Sequence, residues 1–183
     1  MKALIALTSI VGFLMLFYPA PFISMPVSMM SKASAVPPIH DITTDVTNPP
    51  EFVAIAPLRE GAPNSIAYEG GEVTKQQLEA YPEIKTQLLP QPANEVFIAA
   101  EKAIEALGWE RVNEGALPNT LEATDTTAWF GFKDDVVIRL TAKSDDTLVD
   151  IRSKSRVGKS DLGKNAERIE TFMAELRNQL GYH

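Results

Sequence analysis

The stretch Asp135-Val136-Val137-Ile138-Arg139-Leu140-Thr141, followed after Ala142-Lys143-Ser144-Asp145-Asp146 by Thr147-Leu148-Val149-Asp150-Ile151-Arg152-Ser153, decides the fold. Two β-branched runs around a short polar turn predict an antiparallel hairpin. Side chains alternate along a strand, so Val136, Ile138 and Leu140 share one face with Val149 and Ile151. Val137, Arg139, Thr141, Leu148, Asp150 and Arg152 share the other, which gathers the charge. Two registers are open. With Arg139 opposite Asp150 the pair is a cross-strand ion pair worth about 0.2–1 kcal/mol and requires no ligand. A slip by two residues sets Arg139 opposite Arg152, which is unfavourable unless an anion or carboxylate sits between them.

Working outward, residues 93–107 place Val96, Phe97, Ala100, Ile104 and Leu107 at helical spacing, and Gly108 ends the run. Residues 109–113 and 120–125 suit a strand pair separated by Gly115 and Pro118. A last helix is predicted from Asp161, a good N-cap, with Leu162, Ala166, Ile169, Met173, Leu176 and Leu180 as its apolar stripe and Gly181 as its stop. A short peripheral helix covers 74–80. Helices at both ends of a run of antiparallel strands predict a two-layer α+β domain. Its sheet has about four or more strands, with two main helices on one face.

The domain is expected over residues 64–183, after an extended Pro-rich lead over 36–63. Pro37-Pro38, Pro49-Pro50 and Pro63 forbid a helix of useful length in that lead. Residues 39–45 read as an extended arm and 52–56 as a short edge strand. Upstream, Lys2 precedes the uncharged, apolar residues 3–18, as in a secretory signal peptide. A small-x-small site, Ala33-Ser34-Ala35, lies well beyond Tyr18. Residues 3–22 also just reach the roughly 20 apolar residues that span a bilayer core. Residues 1–35 are therefore a signal peptide or an uncleaved signal anchor. The domain is expected to be exported, either periplasmic or held in the inner membrane outside the cytoplasm.

Composition narrows the chemistry. The 183 residues contain no cysteine and two histidines, His40 and the terminal His183. Thiol nucleophiles, thiolate metal sites and iron–sulfur ligation are excluded, and multi-histidine metal sites and Ser–His–Asp catalysis are disfavoured. No cofactor and no metal are expected. His40 reads as structural or solvated. Removing Lys2 and Lys32 leaves 24 acids and 15 bases from Val36 onward. Within that acidic body, residues 139–168 reverse the balance with eight bases against five acids. A segregated reversal is more informative than the total charge. Nucleic acid is not an expected partner.

The reversal centres on Arg152-Ser153-Lys154-Ser155-Arg156-Val157-Gly158-Lys159-Ser160-Asp161-Leu162-Gly163, which leaves a strand, crosses a Ser/Gly loop and enters a helix. Guanidinium groups and hydroxyls there meet free backbone N–H groups and the positive end of a helix dipole, a recipe for binding carboxylate or phosphate. Asp161 opposes a strongly charged anion, because an N-cap carboxylate already uses those donors. Gly158-Lys159-Ser160 resembles the end of a nucleotide-binding P-loop, but Ser153 stands where that motif needs its first glycine. Asp161, Asn165, Arg168 and Phe172 form a polar stripe beside the apolar one. Trp129-Phe130-Gly131-Phe132 either covers one end of the core or forms an apolar wall for a ligand, a partner protein or a membrane surface. The pairs Asp134–Asp135 and Asp145–Asp146 read as solvated turn residues.

The string from Thr124 to Arg139, followed by the one from Asp150 to Ile169 and preceded by Tyr81-Pro82, resembles the domain of unknown function family 1499 over about residues 37–180. The resemblance implies a bacterial or chloroplast-type protein often preceded by a membrane or export segment, and brings no activity or catalytic residues. It also implies that the Asp134-Asp135…Arg139 and Arg152…Arg168 motifs form one spatial feature. Ala128 stands where the resemblance implies an aromatic.

The leading expectation is a non-catalytic cell-envelope domain that binds a small anion, a lipid headgroup or a protein carboxylate. Its candidate contacts are Arg139, Arg152, Ser153, Ser155, Arg156, Lys159, Asn165 and Arg168, with Trp129, Phe130 and Phe132 as the apolar side. Partners would be that anion or lipid, an envelope protein, or the membrane itself through residues 1–35. Two alternatives stand beside it: an envelope hydrolase using Asp125 or Asp135 beside the arginines, and a structural or assembly protein with no small-molecule site.

Overall fold

The computed structural model describes residues 36–112, 117–127 and 131–182. In chain order its elements are β1 (Asp41–Thr43), a 3-10 turn (Ala56–Arg59), α1 (Gly71–Ala80), β2 (Gln87–Leu89), α2 (Ala93–Ala106), β3 (Glu110–Val112), β4 (Thr120–Thr126), β5 (Lys133–Lys143), β6 (Asp146–Ser155) and α3 (Lys164–Gln179). Among the described residues they form a six-stranded antiparallel sheet and three α-helices, the α+β class expected. The anticipated signal peptide or anchor, residues 1–35, lies outside the described residues. No helix among the described residues is long and apolar enough to cross a membrane.

The facing of the side chains follows the alternation. β5 pairs with β6 so that Arg139 stands opposite Asp150 and Ile138 opposite Ile151, which is the ion-paired alternative of the two. Leu121, Ala123, Val136, Ile138, Leu140, Val149 and Ile151 then face Val96, Ala100, Ala103 and Ile104 of α2 and Ile169, Phe172 and Leu176 of α3 in one core. Trp109 stacks on Phe172 with centroids 5.8 Å apart and planes 18° from parallel. Burying a Leu, Ile or Phe side chain of this kind contributes about 1.5–3 kcal/mol, so this layer supplies the main apolar drive to fold.

The sheet edge beyond β6 is built in two pieces. β1 pairs with residues 152–154 and β2 with residues 147–149. Thr44 N–H donates to Ile151 O and Thr86 N–H to Thr44 O, which joins the two pieces. Between them the chain makes a long excursion. Its first part, residues 45–67, runs as a strap over the charged sheet face, opposite the helices. Phe52 and Ile55 pack there on Val137, with Ile66 and Val112 beside them. α1 then closes the edge: Thr43 N–H donates to Gln77 Oε1 at 3.1 Å, and Gln77 Nε2 donates to Thr43 O at 2.7 Å. One side-chain amide thus satisfies the outward peptide groups of an edge strand.

Several local expectations change. Residues 52–56 form no strand, because the N–H groups of Val53, Ala54 and Ile55 each donate to the buried Glu122 carboxylate at 2.9 Å. The last helix begins at Lys164 rather than Asp161, since Leu162 and Gly163 adopt φ of 56° and 80°. Asp161 nevertheless accepts from Gly163 N–H and Asn165 N–H, both at 2.8 Å, and so serves the helix start from outside it. A Cβ at Gly163 would lie 3.2 Å from Tyr81 Oη in a backbone region that already favours glycine. Asp134 and Asp135 are not turn residues. They belong to β5, are buried, and by alternation face opposite sides of the sheet.

Candidate functional site

The charged sheet face carries three ion-pair clusters, each closed by the strap. In the first, Asp41, fully buried on β1, receives Arg152 Nε on Oδ1 and Nη2 on Oδ2, both at 2.8 Å. Lys154 Nζ donates to the same Oδ2 at 2.8 Å and to Ala67 O at 3.0 Å, and its side chain is 0% exposed. Arg152 also donates to Pro50 O and Ile66 O, and its guanidinium lies 5.0 Å from the Phe52 ring centre and 5.3 Å from that of Tyr68. Phe52 of the strap and Tyr68 just after it therefore flank the cation. Burial pushes the Tyr68 hydroxyl above its ordinary pKa, opposed by its hydrogen bond to Thr74. Glu69 Oε1 lies 3.6 Å from Lys154 Nζ and 3.0 Å from His40 Nε2.

In the second cluster Asp135, 0% exposed, holds two arginines. Arg59 Nη1 donates at 2.6 Å, and Arg156 donates Nε at 2.9 Å and Nη2 at 2.8 Å. Thr124 Oγ1 adds a bond of 2.7 Å. The hydrogen bonds to Asp135 hold the Arg156 pKa above its ordinary value, against the effect of burial. Arg59 and Arg156 also bond Ser155 O and Leu58 O. In the third, Arg139 bonds Asp150 at 2.8 Å, Asp45 at 2.9 Å and Asn48 O at 2.9 Å.

The opposite face has its own cluster below the apolar core. Arg168 of α3 donates to Asp134 at 2.7 Å, Asp125 at 2.9 Å, Asn165 Oδ1 at 2.8 Å and Ser153 Oγ at 3.2 Å. Ser153 Oγ donates to Asn165 Oδ1 at 2.6 Å, and Asn165 Nδ2 donates to Ser155 Oγ and His40 O. The polar stripe of the last helix thus meets the sheet as its spacing suggested.

The candidate residues accordingly separate into two faces and a loop. Arg139, Arg152 and Arg156 point into the strap, while Ser153, Ser155, Asn165 and Arg168 point under α3. All four arginines already hold protein carboxylates. Lys159 is exposed on the loop after β6 and has no ion-pair partner among the described residues. Trp129 and Phe130 lie outside the described residues, and Phe132 is 50% exposed. Asp125 and Asp135, the carboxylates of the hydrolase alternative, are each bonded to arginine.

Two shallow hollows, of about 240 and 460 Å³, lie beside Ile84, Lys85 and Met173 and beside Ile98, Lys102 and Trp109. Neither is lined by a candidate residue. Among the described residues no group of three or more His, Asp or Glu is placed to hold a metal ion. The sequence reading found the cations and named Asp135 beside them, but it took Asp134 and Asp135 for turn residues and missed Asp41, Arg59 and Glu122. Extending the β5 alternation by two residues would have revealed Asp134 and Asp135. Nothing local signals Asp41, Arg59 or Glu122, because their partners are far along the chain.

The family model described as Protein of unknown function (DUF1499) matches residues 41–176. The chain belongs to this family. The matched span begins at Asp41, the carboxylate that anchors Arg152 and Lys154, so every ion-pair cluster lies within the DUF1499 domain. No curated protein matches the sequence. Among solved structures, the DUF1499 chain is similar to CalU16 from Micromonospora echinospora at 17% identity, covering 53% of this chain and 72% of that one with a TM-score of 0.40. It is similar to TTHA0849 from Thermus thermophilus at 9% identity, covering 52% and 93% with a TM-score of 0.33.

Proposed function

We propose that this DUF1499 chain is a non-catalytic structural or assembly domain of the cell envelope, exported or tethered to the membrane through its apolar N-terminal segment. Its basic feature is internal scaffolding for the strap rather than a small-anion site. The observation that carries this reading is the pairing of Arg139, Arg152 and Arg156 with Asp150, Asp41 and Asp135 under the strap.

Cations paired this closely, Arg152 buried and Arg139 and Arg156 half-buried, have little electrostatic attraction left for an outside anion. Displacing a carboxylate would leave a charge uncompensated at low dielectric, which costs several kcal/mol. A chemical role for Asp125 or Asp135 would likewise require breaking an arginine pair first. The reading is tested by titrating inorganic phosphate and acetate into the protein by calorimetry, and by native copurification from envelope membranes with mass spectrometry of proteins and small molecules. The expected result is no saturable heat from either anion and copurification of protein partners. A saturable anion site that disappears in a folded Arg156→Ala variant would overturn the scaffold reading.

A further inference from the structure

At the end where β6 finishes, Arg156 N–H bonds Lys133 O, Thr127 N–H bonds Phe132 O across the β4–β5 turn, and Ser155 N–H bonds His40 O. Asp161 N–H bonds Ile39 O, and a Cβ at Gly163 would meet Val36 Cγ1 at 3.5 Å. The start of β5 at Lys133, the loop 156–163 and the point where the chain enters the domain are therefore neighbours. Leu58 joins them, since its carbonyl accepts from Arg156. Leu58 and Phe132 are 54% and 50% exposed there. Lys133 and Lys164 have acidic neighbours in Glu110 and Glu167, and Glu60 is exposed nearby, whereas Lys159 has no such partner among the described residues.

The chain outside this end is apolar. Residues 3–30 carry no charge, and Lys32 is the only charged residue between them and Val36. Residues 3–22 have the length that spans a bilayer core, and the thirteen residues 23–35, with Lys32 their only charge, reach at most about 47 Å. If that stretch spans a bilayer, Val36 and the sheet end beside it stay within that reach of the surface.

We infer that this end of the sheet is a membrane-docking face, with Leu58 and Phe132 entering the headgroup boundary and Lys159 meeting anionic lipid. The inference rests on the tethered form of the function proposed above and adds which face meets the bilayer. Apolar side chains flanked by a cation beside the point where the tether enters the domain are the components of an interfacial contact. One lysine near an anionic surface favours the contact about fivefold.

The absence of cysteine makes the test direct. Single variants Phe132→Cys, Lys159→Cys and Leu88→Cys of the full chain are labelled with an environment-sensitive fluorophore and reconstituted into vesicles of phosphatidylethanolamine and phosphatidylglycerol containing a lipid-borne quencher. Leu88, 53% exposed on β2 at the other end of β6, is the control. Flotation first reports the tether. The expected result is that all three float, labels at 132 and 159 are quenched and the label at 88 is not. In a Lys159→Gln background, the docked fraction read at 132 falls about fivefold in its ratio to the undocked one. Chain that does not float removes the tether and the docking face together. Chain that floats with all three labels unquenched, or equally quenched, keeps the tether and overturns the docking face. Protection at 132 that appears only in native envelope membranes also overturns it, in favour of a protein partner.

Discussion

Arg152 and Asp41 join the penultimate element of the fold to its first through two parallel hydrogen bonds of 2.8 Å. In the β1–β6 pairing Asp41 stands directly opposite Lys154, and Arg152 is its diagonal neighbour on the same face. One carboxylate therefore pairs with two buried cations, Glu69 lies 3.6 Å from Lys154 Nζ as a second, and each of those cations also collects a strap carbonyl. The strap lacks secondary structure of its own apart from one 3-10 turn. Its position is set by these charges and by the small Phe52, Ile55 and Val137 cluster.

Asp41→Asn should be among the most damaging single changes. It leaves Arg152 and the fully buried Lys154 without their shared counter-charge, and breaking one side of a buried pair costs about 3–5 kcal/mol. Urea unfolding followed by circular dichroism measures the loss.

Asp134 and Asp135 are adjacent in sequence and should behave differently. Asp135→Asn releases Arg59 and Arg156 and loosens the strap, so limited proteolysis should cut within residues 45–67 while α3 stays protected. Asp134→Asn weakens the Arg168 contact under α3 and should leave the strap resistant. Identical cleavage patterns from the two variants would contradict the two-face assignment.

Glu122→Gln keeps the size of the side chain but removes the charge that three strap amides point to. Hydrogen bonds to charged groups contribute about 1.5–3 kcal/mol, so roughly that loss is expected. Hydrogen exchange should accelerate at Val53, Ala54 and Ile55, while Ile138 and Ile151 keep the protection of the central hairpin.

Asp161 gives a pH dependence of definite sign. Burial raises its carboxyl above the ordinary 3.8, opposed by the amides of Asn165 and Gly163. The folded state thus holds this proton more tightly than the unfolded chain. The resulting contribution to stability is complete below 3.8 and is lost as pH rises through the raised value. The stability of the wild type minus that of Asp161→Asn should therefore fall as pH rises across that window, measured by urea unfolding at each pH.

The sequence patterns reached the hairpin and the facing of its side chains because both depend on neighbours a few residues apart; they left open whether Asp150 or Arg152 stands opposite Arg139, since a slip by two residues keeps every side chain on its face. The same holds for α2 and for the polar stripe that brings Asn165 and Arg168 to the sheet. The strap was not readable because its hydrogen bonds are non-local. The amides of residues 53–55 find Glu122, and Arg59 finds Asp135, across about half of the domain's length. A polar pair such as Asp134–Asp135 looks like a turn until each carboxylate has a buried arginine to meet. The cations of the candidate site were legible, and what they bind was not, since Asp41 lies over a hundred positions from Arg152.

The central claim is that the basic face holds the protein together rather than a ligand. Its most direct test is the unfolding free energy of Arg152→Ala with and without saturating inorganic phosphate. The account predicts a loss of about 3 kcal/mol or more for the variant and no stabilisation of the wild type by phosphate. A variant as stable as the wild type, combined with phosphate stabilisation that the variant lacks, would contradict it.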